Sequence, residues 1–186
     1  MSYPLVFPRV SILNARLFTA GLVFCTALSF GLQGAMAEPV RTIKVPSSIS
    51  LQNERVGEVK AGADVSLKQA EVYGAVQAGG NLVGRMSDFH HQSVQAGRSV
   101  DLVNCHNIGM VQGGRTVRLQ GTSVAGDVQA GRDVVLLRDT VVDGDVWVGQ
   151  SAVVDGAQIK GLLHISENAL PEKLTLKNAG VKESST

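Results

Sequence analysis

The sequence is poor in aromatic residues, in cysteine and in net charge, and each shortage excludes a class of protein. Only 4% of its 186 residues are aromatic, too few for a large core built around rings. Two cysteines, Cys25 and Cys105, cannot supply the dense disulfides of small stapled domains. The 17 basic and 16 acidic residues nearly balance, so no general positive charge is available for binding nucleic acid or an anionic membrane.

The first 37 residues have the composition of a secretory signal peptide. Two arginines are their only charged residues, and residues 17–32 form an uncharged, mostly apolar run. Ala35 and Ala37 supply the small-residue pattern of a signal-peptidase site, so we expect cleavage after Ala37. An uncleaved N-terminal anchor is the alternative, although the run is short for a spanning helix of about 20 residues. The sequence therefore predicts export to the periplasm or the extracellular space.

A phrase of the form V-x-A-G-x-x-V-x-L recurs through the rest of the chain at a nearly fixed period. Its opening residues are separated by 17, 18, 17, 17, 18 and 17 positions. A short fixed period indicates stacked structural units, and apolar residues alternate within each phrase as they do in a β-strand. The openers are Val59, Val76, Val94, Val111, Val128 and Val146, followed by Leu163. The pattern predicts an all-β fold, a single-stranded parallel β-helix (β-solenoid) with about 17 residues per rung and seven or so rungs.

One glycine in each unit follows the second inward residue of the phrase. A glycine at this point allows the chain to turn a corner, either at positive φ or by close approach of two backbones. These glycines are Gly62, Gly79, Gly97, Gly114, Gly131 and Gly149. We expect the fold to depend on these glycines and on the valine openers.

The repeat also divides the chain into segments. After a signal peptide at 1–37, residues 38–58 are interpreted as a degenerate first rung or cap, and 59–165 as the β-helix repeats. Residues 166–186 are interpreted as a C-terminal cap and polar tail. In the rung that begins at Val76, glycine replaces the usual leucine at position 84, so we expect a bulge or a longer loop around residues 84–92.

Two columns of outward residues are the candidate binding residues. Glutamines follow the openers and are predicted to form side-chain amide ladders, or alternatively a flat polar face for a partner or a glycan. Arginines stand three positions later on three consecutive rungs, where they repel one another unless Asp101, Asp127 and Asp133 neutralise them. The alternative is a cationic stripe that binds an anionic polymer such as lipopolysaccharide or an acidic polysaccharide. The two columns are Gln95, Gln112 and Gln129, and Arg98, Arg115 and Arg132.

No residue pattern in the chain predicts a reaction, a cofactor or a metal site. His90, His91, Cys105 and His106 fall in consecutive rungs, but they lack the C-x-x-C or H-x-x-x-H spacing of metal ligands. Cys105 is interpreted as a small buried residue, with an intermolecular disulfide or a reactive thiol as the alternative. Motifs of the P-loop, G-x-S-x-G and H-E-x-x-H types do not occur. We therefore predict a non-enzyme without cofactor or small-molecule substrate; a hexapeptide acyltransferase, with His164 near a strand, is the enzyme alternative.

Several phrases resemble known repeat families. Residues 124–136 and 142–149, with their V-x-G-D-V pattern, resemble the bactofilins, bacterial proteins whose triangular β-helix polymerises end to end. Residues 96–102, together with the A-G-R-D-V-V-L phrase of the first segment, resemble repeats of filamentous haemagglutinin-type adhesins. The bactofilin resemblance covers about residues 56–165.

The resemblance, combined with the leader, implies an exported scaffold of the bacterial cell envelope that assembles with itself. The alternative is a binding module that contacts an envelope polymer or protein through its arginine and glutamine columns.

Overall fold

The computed structural model describes residues 40–166, 174–177 and 179–181, and their regular structure consists of 21 β-strands. Every strand pairs with its neighbours in parallel, and successive rungs stack about 17 residues apart in roughly seven turns. The predicted β-solenoid is therefore confirmed. The predicted signal peptide lies outside the described residues. Within the described part of the chain, no helix is long and apolar enough to cross a membrane.

The first face of the solenoid contains the repeat openers. Each opener strand pairs with the equivalent strand one rung away, so the face is a continuous parallel ladder. Its strands are β1 (Arg41–Val45), β3 (Arg55–Ala61), β6 (Val76–Ala78), β8 (Asp88–Ala96), β10 (His106–Gly113), β13 (Val128–Ala130), β16 (Val146–Val148) and β19 (Leu163–Ile165).

The second face is a separate sheet of eight strands in simple sequential order. It carries the V-x-L part of each repeat. Its strands are β2 (Ile49–Gln52), β4 (Val65–Lys68), β7 (Leu82–Arg85), β9 (Ser99–Val103), β11 (Thr116–Gln120), β14 (Asp133–Leu137), β17 (Ser151–Asp155) and β20 (Leu174–Lys177).

The third face consists of short strands and of the N-terminal parts of the long strands β1, β3, β8 and β10. Because these long strands continue from the third face into the first, the two faces form one 13-stranded sheet. Its short strands are β5 (Glu71–Val72), β12 (Ser123–Val124), β15 (Val141–Val142), β18 (Gln158–Ile159) and β21 (Gly180–Val181). Strands β20 and β21 extend the ladders into the segment interpreted from sequence as a C-terminal cap.

The six valine openers lie in single file and form one wall of the core. Each is paired with the next through the ladder register, and all six have 0% exposure. Leucine or valine from the second face and valine or isoleucine from the third complete each layer. Because each rung is a thin layer of small side chains, its burial is completed only by the rungs above and below it.

The glycine that follows each first-face strand is required by close backbone packing. A Cβ atom placed on Gly114 would collide with the carbonyl oxygen of Gly97, one rung below, and the same relation holds along the column. None of the six corner glycines adopts the left-handed conformation. Of the two reasons predicted for glycine at this corner, close approach is therefore the one that applies.

The corner between the second and third faces uses a different device. One residue per rung adopts positive φ there, with values between 51° and 66°. The column consists of Asn53, Gln69, Met86, Asn104, Gly121, Asp139 and Gly156. On six of these seven rungs the following residue is small and buried in the core: Ala70, Ser87, Cys105, Thr122, Thr140 or Ala157. Several of these polar groups bond the carbonyl two residues earlier, as Ser87 Oγ does to Arg85 O at 3.1 Å.

The predicted irregularity of the rung that begins at Val76 is present and has a packing cause. His90 and His91 both adopt positive φ, and the register between β8 and β10 shifts twice. Phe89, which precedes this bulge, is fully buried. A Cβ atom on Gly84 would lie 2.6 Å from Leu102 Cδ2 and 3.6 Å from Phe89 Cζ. The missing leucine is thus replaced by a ring from the third face.

Candidate functional site

An open groove of about 1250 Å³ runs along the first face of the solenoid. It touches equivalent positions on seven rungs, from Lys60 to His164, which corresponds to a length of roughly 29 Å at a rung spacing of about 4.8 Å. Each rung contributes the outward residue after the opener, the small residue that follows it, and usually the corner glycine. The groove therefore exists because the glycines that allow the corner to form carry no side chain to fill it.

The glutamine column forms part of the groove lining. Gln77, Gln95, Gln112 and Gln129 are aligned by the ladder register on four consecutive rungs. Their side-chain amides have no hydrogen-bond partner in the described part of the chain, so the amide ladder predicted from sequence does not form. The amides instead leave donors and acceptors open toward the groove.

Two stacked rings occupy the C-terminal end of the same column. The ring centroids of Trp147 and His164 are 3.8 Å apart with an interplanar angle of 11°. His164 Nε2 lies 3.6 Å from Asp145 Oδ2, and Asp145 Oδ1 accepts a 2.8 Å hydrogen bond from Leu162 N. The stack covers one face of the indole, although Trp147 is still 46% exposed. The sequence analysis did not identify this contact, although the 17-residue spacing from Trp147 to His164 could have indicated it.

The arginine column lies directly after the corner glycines. Arg115 N donates to Arg98 O at 2.7 Å and Arg132 N donates to Arg115 O at 2.8 Å, so the three residues stack on consecutive rungs. Their side chains are exposed, and none forms an ion pair with a described residue. Arg132 Nε donates a 3.2 Å hydrogen bond to Gln150 Oε1.

In the described residues, none of the aspartates expected from sequence to neutralise these arginines forms an ion pair with them. Asp101 Oδ1 lies 4.0 Å from Arg118 Nε on the second face. Asp127 Oδ1 accepts a hydrogen bond from Asp145 N, and Asp133 Oδ1 accepts one from the Ser151 hydroxyl. The expected neutralisation is therefore absent, and three like charges stack without a carboxylate partner.

The histidines and cysteine considered as metal ligands do not converge. Cys105 is fully buried, where desolvation raises the pKa of its thiol to about 11. His91 and His106 are exposed, whereas His90 stacks on Tyr73 with ring centroids 4.2 Å apart. In residues 40–166, 174–177 and 179–181 no group of three or more histidine, cysteine or acidic residues is arranged to hold a metal ion.

A second polar cluster lies on the third face, away from the groove. Tyr73 donates a 3.0 Å hydrogen bond to Glu71 Oε2, and Arg55 Nε lies 2.7 Å from the same oxygen. These contacts lower the pKa of Glu71, and the same hydrogen bond raises the pKa of Tyr73. Burial raises the pKa of Asp88, but hydrogen bonds from His90 N and Asn107 Nδ2 outweigh it, so the net pKa is lowered. The cluster ties neighbouring rungs together.

No protein-family model, curated protein or solved structure matches the chain, so the functional interpretation depends on the geometry of the groove and of the two ends.

Proposed function

We propose that this chain is a non-enzymatic, exported structural β-solenoid of the bacterial cell envelope that assembles through its ends. The observation that carries the proposal is the state of the terminal rungs. Strands β1 and β2 each pair on one side only, as do β19, β20 and β21, in the part of the chain that is described. Unpaired strand edges expose backbone donors and acceptors that template pairing with another chain.

The C-terminal rung also exposes side chains that belong to the core. Leu174 and Leu176 are 41% and 45% exposed, whereas their register partners one rung below, Ala152 and Val154, are completely buried. Covering both leucines with a further rung would contribute about 1–3 kcal/mol of hydrophobic stabilisation. An end of this composition favours contact with a second solenoid, since both backbone and apolar groups are then satisfied.

The repetition of the groove lining along the described rungs supports a structural function. The groove repeats nearly the same residue types on each of its central rungs, and catalysis depends on a unique set of converging groups. Export and envelope location are supported by the leader pattern of residues 1–37, and self-assembly agrees with the bactofilin resemblance.

The test compares two single variants of the chain without residues 1–37. Leu176→Glu adds a charge to the exposed core position of β20, and Thr175→Glu adds the same charge to the outward position beside it. We expect the parent and Thr175→Glu to form concentration-dependent oligomers in light scattering and electron microscopy, and Leu176→Glu to remain monomeric. A parent chain that stays monomeric at every concentration, or two variants that assemble equally, would contradict the proposal.

The second candidate function is a binding module for an envelope polymer or protein. The groove favours it, because four glutamine amides without a hydrogen-bond partner and three arginines without an ion-pair partner, among the described residues, lie along one edge of the solenoid. Retention of the monomeric Leu176→Glu variant on immobilised envelope polysaccharide would support this function, and its free passage would count against it.

A further inference from the structure

The groove and the arginine column together form one continuous surface. On each of three central rungs, a groove-lining glutamine, a small residue, a corner glycine and an arginine follow one another in sequence. The three arginines span about 10 Å along the axis at a rung spacing of about 4.8 Å. Gly80 and Gln150 occupy the same position on the rungs before and after them. The arginine column is thus confined to the central rungs.

The charges of this surface are all of one sign. Among the described residues, Lys60 and His164 are the ionisable residues in the groove lining, and no carboxylate lines it. Stacked like charges destabilise adjacent strands, and the nearby Asp127 and Asp133 accept hydrogen bonds from other groups. A row of ligand carboxylates would offset this repulsion, because guanidinium groups bind carboxylates through paired hydrogen bonds.

The spacing of the rungs distinguishes among linear anionic ligands. An extended peptide advances by about 3.3 Å per residue, so its repeats fall out of step with rungs about 4.8 Å apart. A sugar unit of an extended 1,4-linked polysaccharide is close to one rung in length, so each rung meets an equivalent unit. The glutamine amides supply the paired donors and acceptors that sugar hydroxyls need.

Single-stranded nucleic acid fits the surface less well. Its binding sites combine positive charge with open aromatic faces on which bases stack. The aromatic rings of this groove are Trp147 and His164, and these two rings stack on each other. Apart from Lys60 at one end of the groove, the cationic column consists of three arginines near its middle.

We propose that this surface binds a linear acidic polysaccharide that runs along the solenoid axis, with its carboxylates on Arg98, Arg115 and Arg132 and its hydroxyls on Gln95, Gln112 and Gln129. The proposal rests on the second candidate function and names its ligand class. It does not depend on end-to-end assembly, because the surface lies on the side of the solenoid.

The test uses polygalacturonate as the probe, and the same polymer with its carboxylates methyl-esterified as the uncharged control. Binding is measured by calorimetry across a sodium chloride series, with the monomeric Leu176→Glu variant beside the parent. Equal binding by the two proteins separates this proposal from the assembly proposal. We expect polygalacturonate to bind with an affinity that falls as salt rises, and the esterified polymer to bind at least about tenfold more weakly.

Two triple variants locate the site. Replacing Arg98, Arg115 and Arg132 by glutamine is expected to weaken binding about tenfold and to reduce its salt dependence. The matched control replaces three arginines outside the groove, Arg85, Arg118 and Arg138, and should bind like the parent. Circular dichroism and thermal melting show that each variant is folded.

A third variant tests the groove itself. Replacing Gln95, Gln112 and Gln129 by alanine should weaken binding several-fold while the salt dependence stays unchanged, because only uncharged contacts are removed. Failure of polygalacturonate to bind, equal loss in the two arginine variants, or undiminished binding by the glutamine variant would each overturn the proposal. Equally strong competition by a single-stranded oligonucleotide would overturn the polysaccharide class.

Discussion

The Phe89→Ala substitution removes the largest fully buried side chain of the described core and is expected to destabilise the fold. Its ring occupies the space that leucine fills in neighbouring rungs, because Gly84 stands between Leu67 and Leu102 in the ladder. Burial of Phe89 is complete, and Gly84 cannot fill the resulting cavity. The loss in unfolding free energy should therefore reach about 3–5 kcal/mol, which corresponds to a melting temperature lower by roughly 10 °C.

A double-mutant cycle with Gly84→Ala tests whether the two positions share one volume. In the parent, the new methyl would lie 2.6 Å from Leu102 Cδ2, so we expect overpacking to cost about 1–3 kcal/mol. In the Phe89→Ala background, Leu102 can move into the space left by the ring. The second substitution should then be neutral or stabilising, with a coupling energy of about 1–3 kcal/mol.

The assay is urea unfolding followed by far-ultraviolet circular dichroism, with Tyr73→Ala as the control. Tyr73 is an aromatic residue on the same face, but it is 40% exposed, so its removal leaves no core cavity. A loss below about 1 kcal/mol in Phe89→Ala, or additive effects within about 0.5 kcal/mol in the cycle, would refute the packing argument.

Two further predictions follow from the corners and from the third-face cluster. Gly114→Ala should destabilise the fold by about 2 kcal/mol or more, because the new methyl group meets the Gly97 carbonyl. Gly180→Ala is the control in urea unfolding, since among the described atoms its methyl group would meet Gln158 Cγ at an ordinary 3.5 Å. Equal stability of the two variants would contradict the argument. The folded pKa of Asp88 is lowered, so its carboxylate stabilises the fold above the unfolded pKa of about 3.8, and this contribution is lost as pH falls through the folded value. Asp88→Asn should thus be less stable than the parent at pH 7, with the difference in urea midpoint shrinking as pH falls below the unfolded pKa; a constant difference would show that the charge is not involved.

The columns of this solenoid were predictable because one ladder register fixes them all. Once the valine openers stack, the residues at each following position stack as well, so the glutamine and arginine columns follow directly from a spacing of 17 or 18 residues. The corner glycines follow for the same reason, since backbones in adjacent rungs approach closely wherever the chain turns.

Features that depend on side-chain direction were not predictable in the same way. The described glutamines are in register but do not join in an amide ladder, and Asp127 and Asp133, near the arginines, accept hydrogen bonds from other groups. The corner with positive φ was not predictable either, because residues of unrelated types, such as asparagine, glutamine, methionine and aspartate, adopt this conformation there.

The parallel β-solenoid, its period and its buried valines follow from the residue pattern alone, because stacked rungs bury apolar residues that alternate at a fixed repeat. Three further features became visible in the folded chain: missing side chains at the corners open a groove, Phe89 replaces an absent leucine, and the last described rung leaves two leucines uncovered. These outcomes depend on how neighbouring rungs fill or leave space, and a residue pattern read along one chain does not contain that information.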